Sequence, residues 1–96
     1  MSRYRVVIQG RGLKIPSGDH FVVGFFATRL VESDSIENTK YTAIENIRNE
    51  LQTDEILRTN TSNEFEFLID NIEKIGFFDM IFKTFPRKGF TFYQKE

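Results

Sequence analysis

His20 is the only histidine of this 96-residue chain, and no cysteine accompanies it, so acid–base or metal chemistry would have to begin there. A metal would need carboxylates brought to His20 from elsewhere, and a general base would need a nucleophile beside it. The residues around it supply neither, and it reads as a solvated turn residue. Ser17, Ser33, Ser35 and Ser62 fall in turn or cap contexts, where nothing in the sequence sets a histidine as their base, and this leaves a serine nucleophile without support. The acid pairs Asp54-Glu55 and Glu64/Glu66 stand in polar stretches, whereas carboxylate-pair hydrolysis needs an apolar cleft that holds one acid protonated. Gly10-Arg11-Gly12 lacks the Gly-Lys-Ser/Thr of a phosphate loop and runs into a strand, so it reads as a bulge. No residue is assigned as catalytic, cofactor-binding or metal-ligating, no cofactor is expected, and the chain is read as a non-enzyme.

The absence of cysteine also removes disulfides and thiolate sites, making a reducing cytoplasm the expected location. The apolar run behind Arg3 and Arg5 is far too short for a secretory signal, and no segment approaches membrane-spanning length. A chain of this size has apolar surface for one core, so residues 1–96 are expected to form a single domain. Charge is unevenly placed. Residues 1–30 carry five basic residues against Asp19, a balance of +4; residues 31–75 carry eleven acids against four bases, a balance of −7; the remainder holds +2. Such asymmetry either steers a charged partner or marks solvated faces.

The elements that would position any site follow from periodicity. Tyr4, Val6 and Ile8 alternate with Arg3, Arg5 and Gln9, which gives a first strand continuing to Ile15. Pro16-Ser17-Gly18-Asp19 is a turn, since Pro presets φ and Gly accepts positive φ. A second strand runs from His20 to about Glu32 with both registers largely apolar. A one-residue bulge at Gly10–Gly12 would set Val6 and Ile8 opposite Leu30 and Thr28 on the buried face, leaving Arg3, Arg5, Arg29 and Phe25 together on the other. Asp34 and Glu37 have the capping-box spacing, and Ile36, Lys40, Ala43, Ile44, Ile47 and Leu51 form one helical stripe. A short turn from Thr53 would bury Ile56 or Leu57. After the polar loop 60–63, Phe65, Phe67 and Ile69 mark a half-buried third strand, and Phe90 and Phe92 a fourth. The order β-β-α-β-β predicts a two-layer α+β fold, an antiparallel sheet carrying one main helix on one face.

Two surfaces emerge as candidates. Phe77, Phe78, Ile81, Phe82 and Phe85 lie in a phenylalanine-rich stretch between Gly76 and Pro86, which either caps the core or forms an interface. Arg3, Arg5, Arg29 and Phe25 would make a basic face with a ring, the combination that holds single-stranded nucleic acid, although such binders are usually basic overall.

The segments RVVI near the start, GFFATRLVE at 24–32 and GFTFY at 89–93, with the capped helix between them, resemble a family of small bacterial single-domain proteins of unassigned function. The resemblance implies a cytoplasmic bacterial protein and carries over no catalytic residue. The residues themselves favour a non-catalytic protein–protein interaction module, expected to be a homodimer. One alternative is an antitoxin-like or immunity-like protein whose acidic segment 32–73 covers the basic site of a partner. The other is a binder of single-stranded nucleic acid through the first hairpin. No membrane partner is expected.

Overall fold

The computed structural model of the protein describes residues 2–76 and 90–94. Strand β1 spans Ser2–Ser17 and β2 His20–Ser33; helix α1 spans Ile36–Thr53, followed by a 3-10 turn at Leu57–Thr59; β3 spans Glu66–Lys74 and β4 Thr91–Gln94. The four strands form one antiparallel sheet in the order β3-β1-β2-β4, with α1 packed on one face. This is the α+β arrangement that the alternating strands and single amphipathic stretch require.

The long hairpin is interrupted where the glycines stand. From the turn to Ile15↔Val22 the strands are in one register, and from Arg11↔Gly24 downward in another, so Gly12, Leu13 and Lys14 oppose Val23 alone. Gly12 takes φ of 81° there, a conformation that side chains with a Cβ resist. The displacement is therefore two residues, not one, and two residues preserve facing. Val6 pairs with Arg29 and Ile8 with Ala27. The expected pairing of Val6 with Leu30 and of Ile8 with Thr28 is corrected accordingly, and Phe25 and Arg29 fall on the helix-covered face. A second irregularity, at Asp70 in β3, turns Phe67 and Ile69 and then Ile72 onto that same face.

The core consists of Tyr4, Val6, Ile8, Leu13, Ile15, Val22, Phe25, Ala27 and Val31 from the hairpin, Ala43 and Ile47 from the helix, and Leu57 from the 3-10 turn. Each Val, Leu, Ile or Phe side chain among them contributes about 1.5–3 kcal/mol on leaving water. Thr39, also fully buried, keeps its hydroxyl satisfied by donating to the Ser35 carbonyl at 2.8 Å. The helix starts one residue later than the Asp34 spacing suggests: Ser35 is the cap, its hydroxyl accepting from the Asn38 amide. Ile36, the first helical residue, is 48% exposed and does not join the buried stripe. At the other end Asp54 accepts from the amides of Ile56 and Leu57, which starts the 3-10 turn and buries Leu57, while Ile56 stays outside. The loop before β3 is tied to the bulge, Lys14 donating its amide to Asn60 Oδ1 and accepting from the Thr61 amide.

Candidate functional site

Alternation along the strands places Arg3, Arg5, Val7, Gln9 and Arg11 of β1 on the face opposite α1. Beside them, in register, stand Glu32, Leu30, Thr28 and Phe26 of β2 on one side and Glu73, Asn71, Leu68 and Glu66 of β3 on the other. Phe26 is 38% and Leu30 45% exposed, and they lie on one side of the same strand, four residues apart. A depression of about 150 Å³ beside Leu30 is lined by Arg3, Val31 and Glu32.

The cations of this face are already matched. Arg3 pairs with Glu32 at 3.5 Å, Arg5 with Glu73, and Arg11 with Glu66, each pair joining neighbouring strands. β3 is laid directly against β1, so acids from the negative middle of the chain neutralise the basic start. Three cations against three anions leave the face without net charge. The remaining acids of the segment 32–73 are partly engaged too: Glu50 holds Arg29, Glu37 lies by Lys40, and Glu45 by Arg48.

Tyr93 closes one end of the face. Its ring lies over Gly24, where a Cβ would come within 2.2 Å of it, so only glycine fits beneath. This close approach lets the Tyr93 hydroxyl reach across β2 and donate to the Gly10 carbonyl at 3.2 Å while accepting from Gln9 Nε2 at 3.1 Å. The Tyr93 ring also touches Phe26, 5.7 Å between centroids.

The proposed basic face is not brought together. Arg3 and Arg5 belong to the helix-free face, but Phe25 is fully buried and Arg29 only 4% exposed on the other side of the sheet. The aromatic that does accompany Arg3 and Arg5 is Phe26, one residue along, which the assumed one-residue bulge had sent to the core. The other candidate surface, Phe77, Phe78, Ile81, Phe82 and Phe85, lies outside the described residues.

At the hairpin tip a cleft of about 560 Å³ gathers Leu13, Lys14, Asp19, His20, Phe21, Val23 and Ser62. Sequence reasoning missed this grouping, because Ser62 reaches His20 only through the clamp of the 60–62 loop on Lys14. In the cleft the Ser62 hydroxyl accepts from the Glu64 amide, and Lys14 Nζ sits 4.8 Å over the Phe21 ring. Among the described residues no three of His, Asp and Glu converge as metal ligands, and no helix is long and apolar enough to cross a membrane. Compared with protein-family models, with curated proteins and with solved structures, the chain matches none of them.

Proposed function

We propose that the protein is an interaction module that pairs with a second copy of itself through the helix-free face of its sheet, working in a reducing compartment such as the cytoplasm. The observation that carries this reading is Phe26 and Leu30, both exposed on the same face of β2, a face whose cations are already paired. A surface that meets its own copy cannot be of one sign without repelling itself, and three cations against three anions satisfy that condition.

The same pairing counts against phosphate or basic partners as the principal ligand. A nucleic-acid backbone approaching Arg3, Arg5 or Arg11 would have to displace a carboxylate from each, so no counterion release would reward the contact. A basic partner approaching Glu32, Glu66 or Glu73 faces the reverse exchange.

Sedimentation equilibrium at rising concentration tests the proposal. The wild-type chain should reach a dimer by high micromolar concentration, and Leu30→Lys should remain monomeric with its unfolding midpoint unchanged, because Leu30 packs little within the monomer. A wild-type chain that stays monomeric throughout, or a Leu30→Lys variant that dimerises as well as wild type, overturns it.

A further inference from the structure

We infer that the cleft at the hairpin tip binds a small organic monocarboxylate, an acid whose single negative charge sits on an aromatic or branched apolar body. Phe26 and Leu30 do not line this cleft, so the site stands whether or not the protein self-associates. The bulge and the loop before β3 build it. Because Gly12, Leu13 and Lys14 oppose Val23 alone, β1 carries extra chain just before the turn. Lys14 is fixed there by its backbone, its amide donating to Asn60 Oδ1 at 2.8 Å and its carbonyl accepting from the Thr61 amide at 2.9 Å. The same Asn60 side chain accepts from the Ser62 amide at 3.1 Å and donates to the Ser62 carbonyl at 3.0 Å. Lys14 and Ser62 are thereby held in place before any ligand arrives, which lowers the ordering cost of binding.

The lining fixes the chemistry of the ligand. At about 560 Å³ the cleft has the volume of a small-molecule site, with Leu13, Val23 and the exposed ring of Phe21 as apolar wall and a few polar groups among them. Its cation differs from the others nearby. Arg3, Arg5, Arg11 and Arg29 each meet a glutamate, whereas Lys14 Nζ lies over Phe21 and pairs with no carboxylate among the described residues. A ring holds an ammonium weakly where water reaches it. A carboxylate can therefore take up Lys14 in a charge-assisted hydrogen bond without displacing an anion. The Ser62 hydroxyl accepts from the Glu64 amide at 3.1 Å, which leaves its proton to donate, and His20 offers an N–H in either tautomer. Asp19 sets the limit on charge. It lines the same cleft, so a phosphate or a dicarboxylate brings more negative charge than Lys14 offsets, and a monoanion is favoured.

Amide-resolved NMR titration of the whole chain with phenylacetate tests the site. The signals of Lys14, His20, Phe21 and Ser62 should shift to saturation with a dissociation constant of about 1 mM or tighter. Benzyl alcohol keeps the ring and lacks the charge, acetate keeps the charge and lacks the ring, and phenyl phosphate is doubly charged near neutral pH. Each should bind at least about tenfold more weakly than phenylacetate. Lys14→Met, which retains an apolar stem, should weaken phenylacetate about tenfold and leave benzyl alcohol as it is. Asp19→Asn should narrow the gap between phenyl phosphate and phenylacetate. If Lys14→Met does not fold, the four ligands on the wild-type chain decide the matter by themselves. The site is overturned by the absence of saturable shifts up to about 20 mM phenylacetate, by any of the other three ligands binding as tightly, by Lys14→Met binding phenylacetate as wild type does, or by an unchanged gap in Asp19→Asn.

Discussion

The two faces of the sheet use the same residue types to opposite effect. On the covered face an arginine meets a glutamate, Arg29 with Glu50, and an aromatic lies over a glycine, Phe25 over Gly10. On the helix-free face Arg5 meets Glu73, Arg11 meets Glu66, and Tyr93 lies over Gly24. What separates them is water. Under α1 the Phe25 ring is fully buried among Phe67, Phe90 and Phe92, so its transfer from water and its edge contacts both stabilise the fold. Across the sheet Phe26, the next residue, keeps more than a third of its surface in solvent. Identical chemistry is structural on one side and available for contact on the other.

The most direct way to break this comparison is to truncate both neighbours. Phe25→Ala should lower stability to unfolding by about 3–5 kcal/mol, since it removes the largest core side chain and leaves a cavity over Gly10. Phe26→Ala should cost less than about 1 kcal/mol and act on self-association instead. Denaturant unfolding of the two variants at matched concentration measures both. Equal losses would mean that the faces are not distinct. The charged pairs come next. Glu50→Ala should cost about 1.5–3 kcal/mol, the scale of a charged hydrogen bond whose partner is left buried. Its partial exposure keeps the loss toward the lower end. A Glu50→Ala variant as stable as wild type would mean that the pair with Arg29 adds nothing net to the fold.

How much of this was legible in the sequence depends on which physical signal decides each feature. The strands, the helix and their order follow from periods of 2 and 3.6, which the apolar residues mark from Tyr4 to Ile8 and from Ala43 to Leu51. The facing of β2 did not follow, because both of its registers are apolar and the choice rests on whether the bulge adds one residue or two. A signal was nevertheless present. Glu50 stands three residues after Ile47 and seven after Ala43, on the stripe that must face the sheet. An acid there calls for a cation beneath it, and Arg29 is the one whose register with Ala27 and Phe25 provides it. The cap moved from Asp34 to Ser35 for a smaller reason: both residue types cap well, and the Ser33 hydroxyl, by bonding the Ser35 amide and carbonyl, fixes which residue turns first. The neutrality of the helix-free face was hidden because it depends on β3 returning beside β1, a long-range pairing that local charge counts do not contain.

Tyr93→Phe sharpens the comparison at a third level. The ring stays over Gly24, but the hydroxyl that donates to the Gly10 carbonyl and accepts from Gln9 is lost. Stability should fall by about 1 kcal/mol, the net worth of a partly buried hydrogen bond between neutral groups. The loss should appear as faster amide exchange in β4 more than in β1. A neutral outcome would show that the pairing with β2 and the ring contacts hold β4 without the Tyr93 hydroxyl.

The smallest effect belongs to Arg3 and Glu32, and it discriminates between a charge ladder that holds the sheet and one that merely cancels itself. Their side chains are 48% and 55% exposed and 3.5 Å apart. Water screens such a pair, and ordering two long side chains offsets much of the attraction, so a double-mutant cycle on Arg3→Gln and Glu32→Gln should give a coupling below about 0.5 kcal/mol. Either single variant, however, leaves one charge unmatched on a face that was neutral. The single variants should therefore weaken self-association more than they weaken the fold, and the double variant should restore it, because neutrality and not the pair itself is what a self-meeting surface needs. Sedimentation of the three variants beside wild type reads this directly. A coupling of several kcal/mol in the monomer would instead make the ladder part of the sheet's own stability, and would erase the difference between the two faces.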